Sequence, residues 1–78
     1  MTRAEVRAEL TTLANAKLRR DGPLPTVPIA EAFDSMQRLT LVVAIEDHFE
    51  LCLEPEDEAS IVTIEDLIDL ILKKKAMT

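Results

Sequence analysis

The chain has 78 residues, 31% of them Asp, Glu, Lys or Arg, with a net charge of −6 and one cysteine. At about 1.5 kcal/mol of ordering cost per residue this length supports one small core, and a lone cysteine excludes an internal disulfide or a cysteine-rich zinc site, in keeping with a reducing compartment. No apolar run approaches the roughly 20 residues that cross a bilayer, and the N-terminus lacks the apolar stretch of a secretory signal, so a cytoplasmic protein is expected.

The charge is uneven. Residues 1 to 20 hold five Lys/Arg against Glu5 and Glu9, residues 21 to 72 hold thirteen Asp/Glu against Arg38 alone, and Lys73, Lys74 and Lys75 follow. An acidic body of this kind repels nucleic-acid phosphates and anionic lipid and draws in basic protein patches. Neither nucleic acid nor a membrane is therefore an expected partner. Acidity also serves solubility, so charge by itself names no partner.

In chain order, Thr2 with Glu5 makes a capping box, and Val6, Leu10, Leu13 and Leu18 recur at near-helical spacing. A first helix over about 3–20 follows, with Lys17, Arg19 and Arg20 complementing its C-terminal dipole and Gly22-Pro23 ending it. Pro23, Pro25 and Pro28 make residues 21–34 a long ordered loop, which Leu24, Val27, Ile29 and Phe33 can pin to the core.

Asp34 and Gln37 form a second capping box, opening a helix over about 35–50. Leu41, Val42, Ile45 and Phe49 supply its buried stripe. Met36, Leu39 and Val43, at i, i+3 and i+7, add more apolar surface than one stripe needs. Met36 and Val43 read as a docking face; Leu39 stands between core and docking.

Pro55 with Glu56, Asp57 and Glu58 starts a short helix over about 55–60. Its acids lack the alternation and central glycine of a calcium-binding loop, so no metal site is expected. Thr63 with Asp66 caps a last helix over about 64–75, with Ile64, Leu67, Ile68 and Ile71 on one stripe and three lysines at its C-terminal end. The β-branched run from Ile61 to Ile64 has no second strand to pair with. The predicted fold class is all-α, a small antiparallel bundle of three main helices plus one short helix.

Asp34-Ser35-Met36 carries the most specific signal. Because Asp34 caps the helix, the Ser35 hydroxyl is released from that task and sits in the first turn, where free N–H groups and the positive dipole end favour a phosphate ester. Enzymatic catalysis by this chain alone is not expected. His48, the single histidine, lies roughly 20 Å along the same helix at 1.5 Å per residue, and it reads as solvent-facing. Cys52, between Leu51 and Leu53, reads as a small core residue.

With the helix that follows, from Leu39 to Phe49, this tripeptide resembles the phosphopantetheine-binding carrier-protein family, whose serine stands in an Asp-Ser-Leu motif; the resemblance covers nearly the whole chain and is nearest to acyl carrier proteins. It implies that Ser35 carries a 4'-phosphopantetheine arm, derived from coenzyme A, whose thiol holds acyl groups as thioesters. It further implies that Asp34 caps the helix and aids recognition by a phosphopantetheinyl transferase, and that Met36, Leu39, Val43, Glu46 and Asp47 meet partner enzymes. Those partners are the transferase, an acyl-activating enzyme or acyltransferase, and a synthase or ketosynthase, each meeting a monomeric carrier.

Two departures from the family pattern stand out. Ala32-Phe33 occupies the stretch where carriers usually have a glycine before the Asp-Ser pair, and Arg38 puts a cation in a first turn that fatty-acid carriers keep neutral or acidic. The latter points toward a specialised, polyketide-like pathway rather than bulk fatty-acid synthesis. A carrier for an activated amino acid, of peptidyl or D-alanyl type, is the alternative within the family. Outside it stands a non-catalytic helical interaction domain in which Ser35 is only a cap neighbour.

Overall fold

The Thr2 hydroxyl accepts from the Glu5 N–H at 3.1 Å, and the Glu5 carboxylate accepts from the Thr2 N–H at 2.9 Å. From this box helix α1 runs over Arg3–Leu18 in a computed structural model that describes residues 1–76. Helix α2 covers Ile29–Ala32, α3 Ser35–Phe49, α4 Pro55–Ser60 and α5 Ile64–Ala76. The described residues are all helix and connection, with α1 packed on both α3 and α5.

Helix α1 stops at Leu18, two residues short of the expected end, because Arg19 enters the left-handed region at φ 52°. Arg20 stays at the C-terminal end of α1, its N–H donating to the Asn15 carbonyl at 3.1 Å. Its guanidinium bonds the Asn15 side chain and the Pro23 carbonyl, each at 3.0 Å, and lies 5.8 Å from the Phe33 ring centre. The Asn15 amide in turn donates to the carbonyl of Gly22, the residue whose φ of +91° an L side chain rarely adopts.

The expected loop contains a turn of helix, α2, that was not anticipated. Pro28 precedes it, the Phe33 N–H returns to the Ile29 carbonyl at 2.9 Å, and Ile29 and Phe33 are both buried. So short a helix gains nothing from propensity and persists because its two apolar side chains dock. The Ile29 N–H donates to the Val62 carbonyl at 2.8 Å, tying this segment to the connection before α5. Leu24 is buried as expected, but Val27 is 47% exposed and pins nothing.

The core takes Val6, Leu10, Leu13 and Ala14 from α1, Leu41, Ala44, Ile45 and Phe49 from α3, and Ile64, Leu67, Ile68 and Ile71 from α5. Helix α4 contributes no buried side chain. It is held instead by polar links: the Asp57 carboxylate accepts from the Glu54 N–H and pairs with the Lys74 ammonium at 2.7 Å. Helix α5 begins on the Thr63/Asp66 box, with bonds of 3.2 and 3.0 Å.

Arg3 reaches Glu65 and Asp69, and Arg7 reaches Glu65, clamping α1 to α5 along their exposed edge. The bonds from Arg7 and Arg3 hold the Glu65 carboxyl below its ordinary 4.5, and the Lys74 bond, then the Glu54 N–H, hold Asp57 below 3.8. A carboxylate with a depressed folded value stabilises the fold above its ordinary value and ceases to do so as pH falls through the folded one. The unfolding midpoint should thus hold steady above pH 4.5 and fall below it. Arg7→Gln should lower the midpoint at neutral pH and converge with the parent in acid, as a series of thermal melts will show.

Candidate functional site

The extended backbone of Asp34, at φ −77° and ψ 177°, delivers its side chain to the start of α3. Asp34 Oδ1 accepts from the Gln37 N–H at 2.8 Å, and Gln37 Oε1 accepts from the Asp34 N–H at 3.0 Å. Both arms of the box are closed without Ser35. The Ser35 side chain is exposed, and its Oγ accepts one bond, from Arg38 Nη2 at 3.2 Å.

Beside Ser35 lies a cleft of about 420 Å³ between α2, α3 and the segment from α4 to α5. Its lining is mainly apolar, with Ile29, Leu39, Ile45, Val62 and Leu67 among the walls, while Ser35, Arg38 and Glu58 are its polar members. The residue pattern by itself does not mark this space. Its walls come from segments far apart in the chain, and the one local hint is an apolar Ile61-Val62 pair next to a polar helix.

Met36, Leu39 and Val43 are 74%, 60% and 55% exposed and form an apolar ridge down the outer face of α3. Leu39, open between core and docking, is exposed and also forms part of the cleft wall. Asp47 is exposed one turn beyond Val43.

Glu46 differs from the expectation of a free acid. It is half-buried, and its Oε2 accepts from the Leu53 N–H at 3.0 Å, fastening the chain after α3. Its own carbonyl accepts from the Leu51 N–H at 3.1 Å. One oxygen of the carboxylate is thus engaged inside the molecule.

His48 is exposed, as expected, and in addition its Nε2 meets the Glu9 carboxylate at 3.0 Å across α3 and α1, while its ring stands edge-on to Phe49 at 4.9 Å. One further reading changes. Cys52 is exposed, not core. After Glu50 turns left-handed at φ 53°, the chain leaves α3 extended, so Leu53 points in and Cys52 points out. Among the described residues no three metal-binding side chains converge, and no helix is long and apolar enough to cross a membrane.

No family model matches the sequence. The fold, however, superposes on the crystal structure of an acyl carrier protein from Thermotoga maritima, determined at 2.00 Å, with a TM-score of 0.79 and 32% identity, over 92% of this chain and 88% of that one. The small helical bundle is thus shared in sequence and in shape with a carrier. The chain belongs to the acyl carrier protein family.

Proposed function

We propose that Ser35 carries a 4'-phosphopantetheine arm and that the protein shuttles acyl groups, held as thioesters on the arm's thiol, between partner enzymes. The observation that carries this reading is the exposed Ser35 hydroxyl at the first turn of α3, released from capping by the Asp34–Gln37 box in a chain of this family. The site fits the group. Oγ faces solvent, so esterification displaces no packed atom, and the Arg38 guanidinium stands at hand for the phosphate.

The transfer balances simply. Ser35 Oγ bonds to the phosphorus that bears pantetheine in coenzyme A, the bond from that phosphorus to the adenosine-side oxygen breaks, adenosine 3',5'-bisphosphate leaves, and the hydroxyl proton passes to the transferase. Incubation with coenzyme A and a broad-specificity transferase should add one phosphopantetheinyl group, and peptide mapping should place it on Ser35. A group found on Ser60 or Thr63 would overturn the assignment. The mainly apolar cleft suits an acyl cargo better than a charged amino acid, and Arg38 favours a specialised pathway of the polyketide kind.

Partner enzymes are proposed to dock on the Met36, Leu39 and Val43 ridge, with Asp47 facing their Lys and Arg. Asp47→Lys should slow modification at low salt, with the deficit shrinking as the Debye length falls from about 10 Å at 0.1 M to about 3 Å at 1 M. Met36→Ala should lower the rate with little salt dependence, by about 1 to 2 kcal/mol of lost apolar contact. Glu46→Lys belongs to a different class, since losing the bond to Leu53 should cost about 1 kcal/mol of stability. Modification rates against ionic strength, with thermal melts alongside, separate the three.

A further inference from the structure

Between residues 21 and 72 Arg38 is the single cation among thirteen carboxylates. Arg3, Arg7 and Lys74 all have carboxylate partners, whereas the contact made by the Arg38 guanidinium among the described residues is the Ser35 hydroxyl at 3.2 Å. The two residues are one turn apart, on the same side of α3, and both line the apolar cleft.

From this placement we propose that Arg38 is a positioning residue for the arm, its guanidinium pairing with the phosphodiester once Ser35 is modified. This rests on the reading of Ser35 given above. Esterification adds a negative charge beside Asp34 and in the same cleft as Glu58, within the most acidic part of the chain. Arg38 is the one cation of that part, and it is already seated on the oxygen that becomes the ester bridge.

The non-bridging phosphate oxygens lie two bonds beyond Oγ, through the phosphorus, within reach of a guanidinium that presents five N–H donors in a planar fork. Pairing there holds the phosphate against the first turn of α3 and fixes the stem of the arm at the edge of the cleft. A lysine at this position would retain the charge but not the fork.

The parent, Arg38→Gln and Arg38→Lys are each loaded with coenzyme A and a broad-specificity transferase, and mass spectrometry with peptide mapping confirms a single group on Ser35. Phosphorus NMR is then recorded on each native holo protein and on the same sample unfolded in urea, together with the arginine Nε–H spectrum of the apo and holo parent. The native parent should show a phosphorus resonance displaced from its unfolded position, with the Arg38 Nε–H signal shifting between apo and holo forms. Arg38→Gln should lose most of that phosphorus displacement and Arg38→Lys should keep part of it, while thermal melts of the apo variants match the parent.

A phosphorus resonance in Arg38→Gln equal to the parent's, or an Arg38 signal unmoved by loading, overturns the positioning role and leaves the modification of Ser35 intact. Failure to load Ser35 in the parent overturns the functional reading and this role with it.

Discussion

Ser35→Ala is expected to lose all phosphopantetheinyl incorporation while keeping its fold. The side chain is exposed and its Oγ makes one bond, to a surface arginine. The helix cap belongs to Asp34 and Gln37, so stability should stay within about 0.5 kcal/mol of the parent, as for ordinary surface substitutions. Mass spectrometry after prolonged incubation with transferase is the measurement. Residual incorporation at another hydroxyl would show that the first turn of α3 does not define the site.

Asp34 provides the companion experiment. Asp34→Ala removes the acceptor for the Gln37 N–H and should cost about 1 kcal/mol. Asp34→Asn keeps a capping oxygen, so slower modification at unchanged stability would assign the carboxylate's charge to recognition by the transferase. Equal rates would leave Asp34 as a cap alone.

The largest loss of stability is expected for Phe49→Ala. The ring is 3% exposed at the end of α3, edge-on to His48, and its residue's carbonyl accepts from the Lys75 ammonium at 2.9 Å. Truncating a buried aromatic ring costs about 3 to 5 kcal/mol. A chain of 78 residues has a total stability of only about 4 to 12 kcal/mol at 0.05 to 0.15 per residue. Chemical denaturation should therefore show at least about a quarter of the total stability gone, and the fold lost if the parent sits at the low end of that range. Val43→Ala, on the exposed ridge of the same helix, should change stability by less than about 0.5 kcal/mol. A loss below about 1 kcal/mol for Phe49→Ala would mean that α3 docks through another face.

Three capping boxes were legible from residue order because each joins groups three residues apart and needs nothing beyond the local backbone: Thr2 with Glu5, Asp34 with Gln37, Thr63 with Asp66; the structure adds a fourth of the same spacing, Glu54 with Asp57 at the start of α4. The buried stripe of α5 and the surplus apolar ridge of Met36, Leu39 and Val43 were equally legible, since a helical period fixes which side chains share a face. The exposure of Ser35 follows from the same local logic, its neighbour having taken the cap.

Other features depend on partners distant in the chain or on reversals of backbone hand that side-chain pattern does not encode. The turn of α2 exists because Ile29 and Phe33 dock and because the Ile29 N–H finds the Val62 carbonyl. Glu46 reads as one more surface acid until Glu50 turns left-handed and brings the Leu53 N–H back to it, and the same turn sends Cys52 outward. His48 meets Glu9, and Arg3 and Arg7 meet Glu65, across helices that the sequence separates. Residue order by itself determined where α1, α3, α4 and α5 begin, which faces are apolar and which hydroxyl stands free, because these are relations within one turn. Which polar groups are consumed internally, and whether a cleft lies beside that hydroxyl, only the packing of the helices decided, because burial and pairing are properties of surfaces brought together.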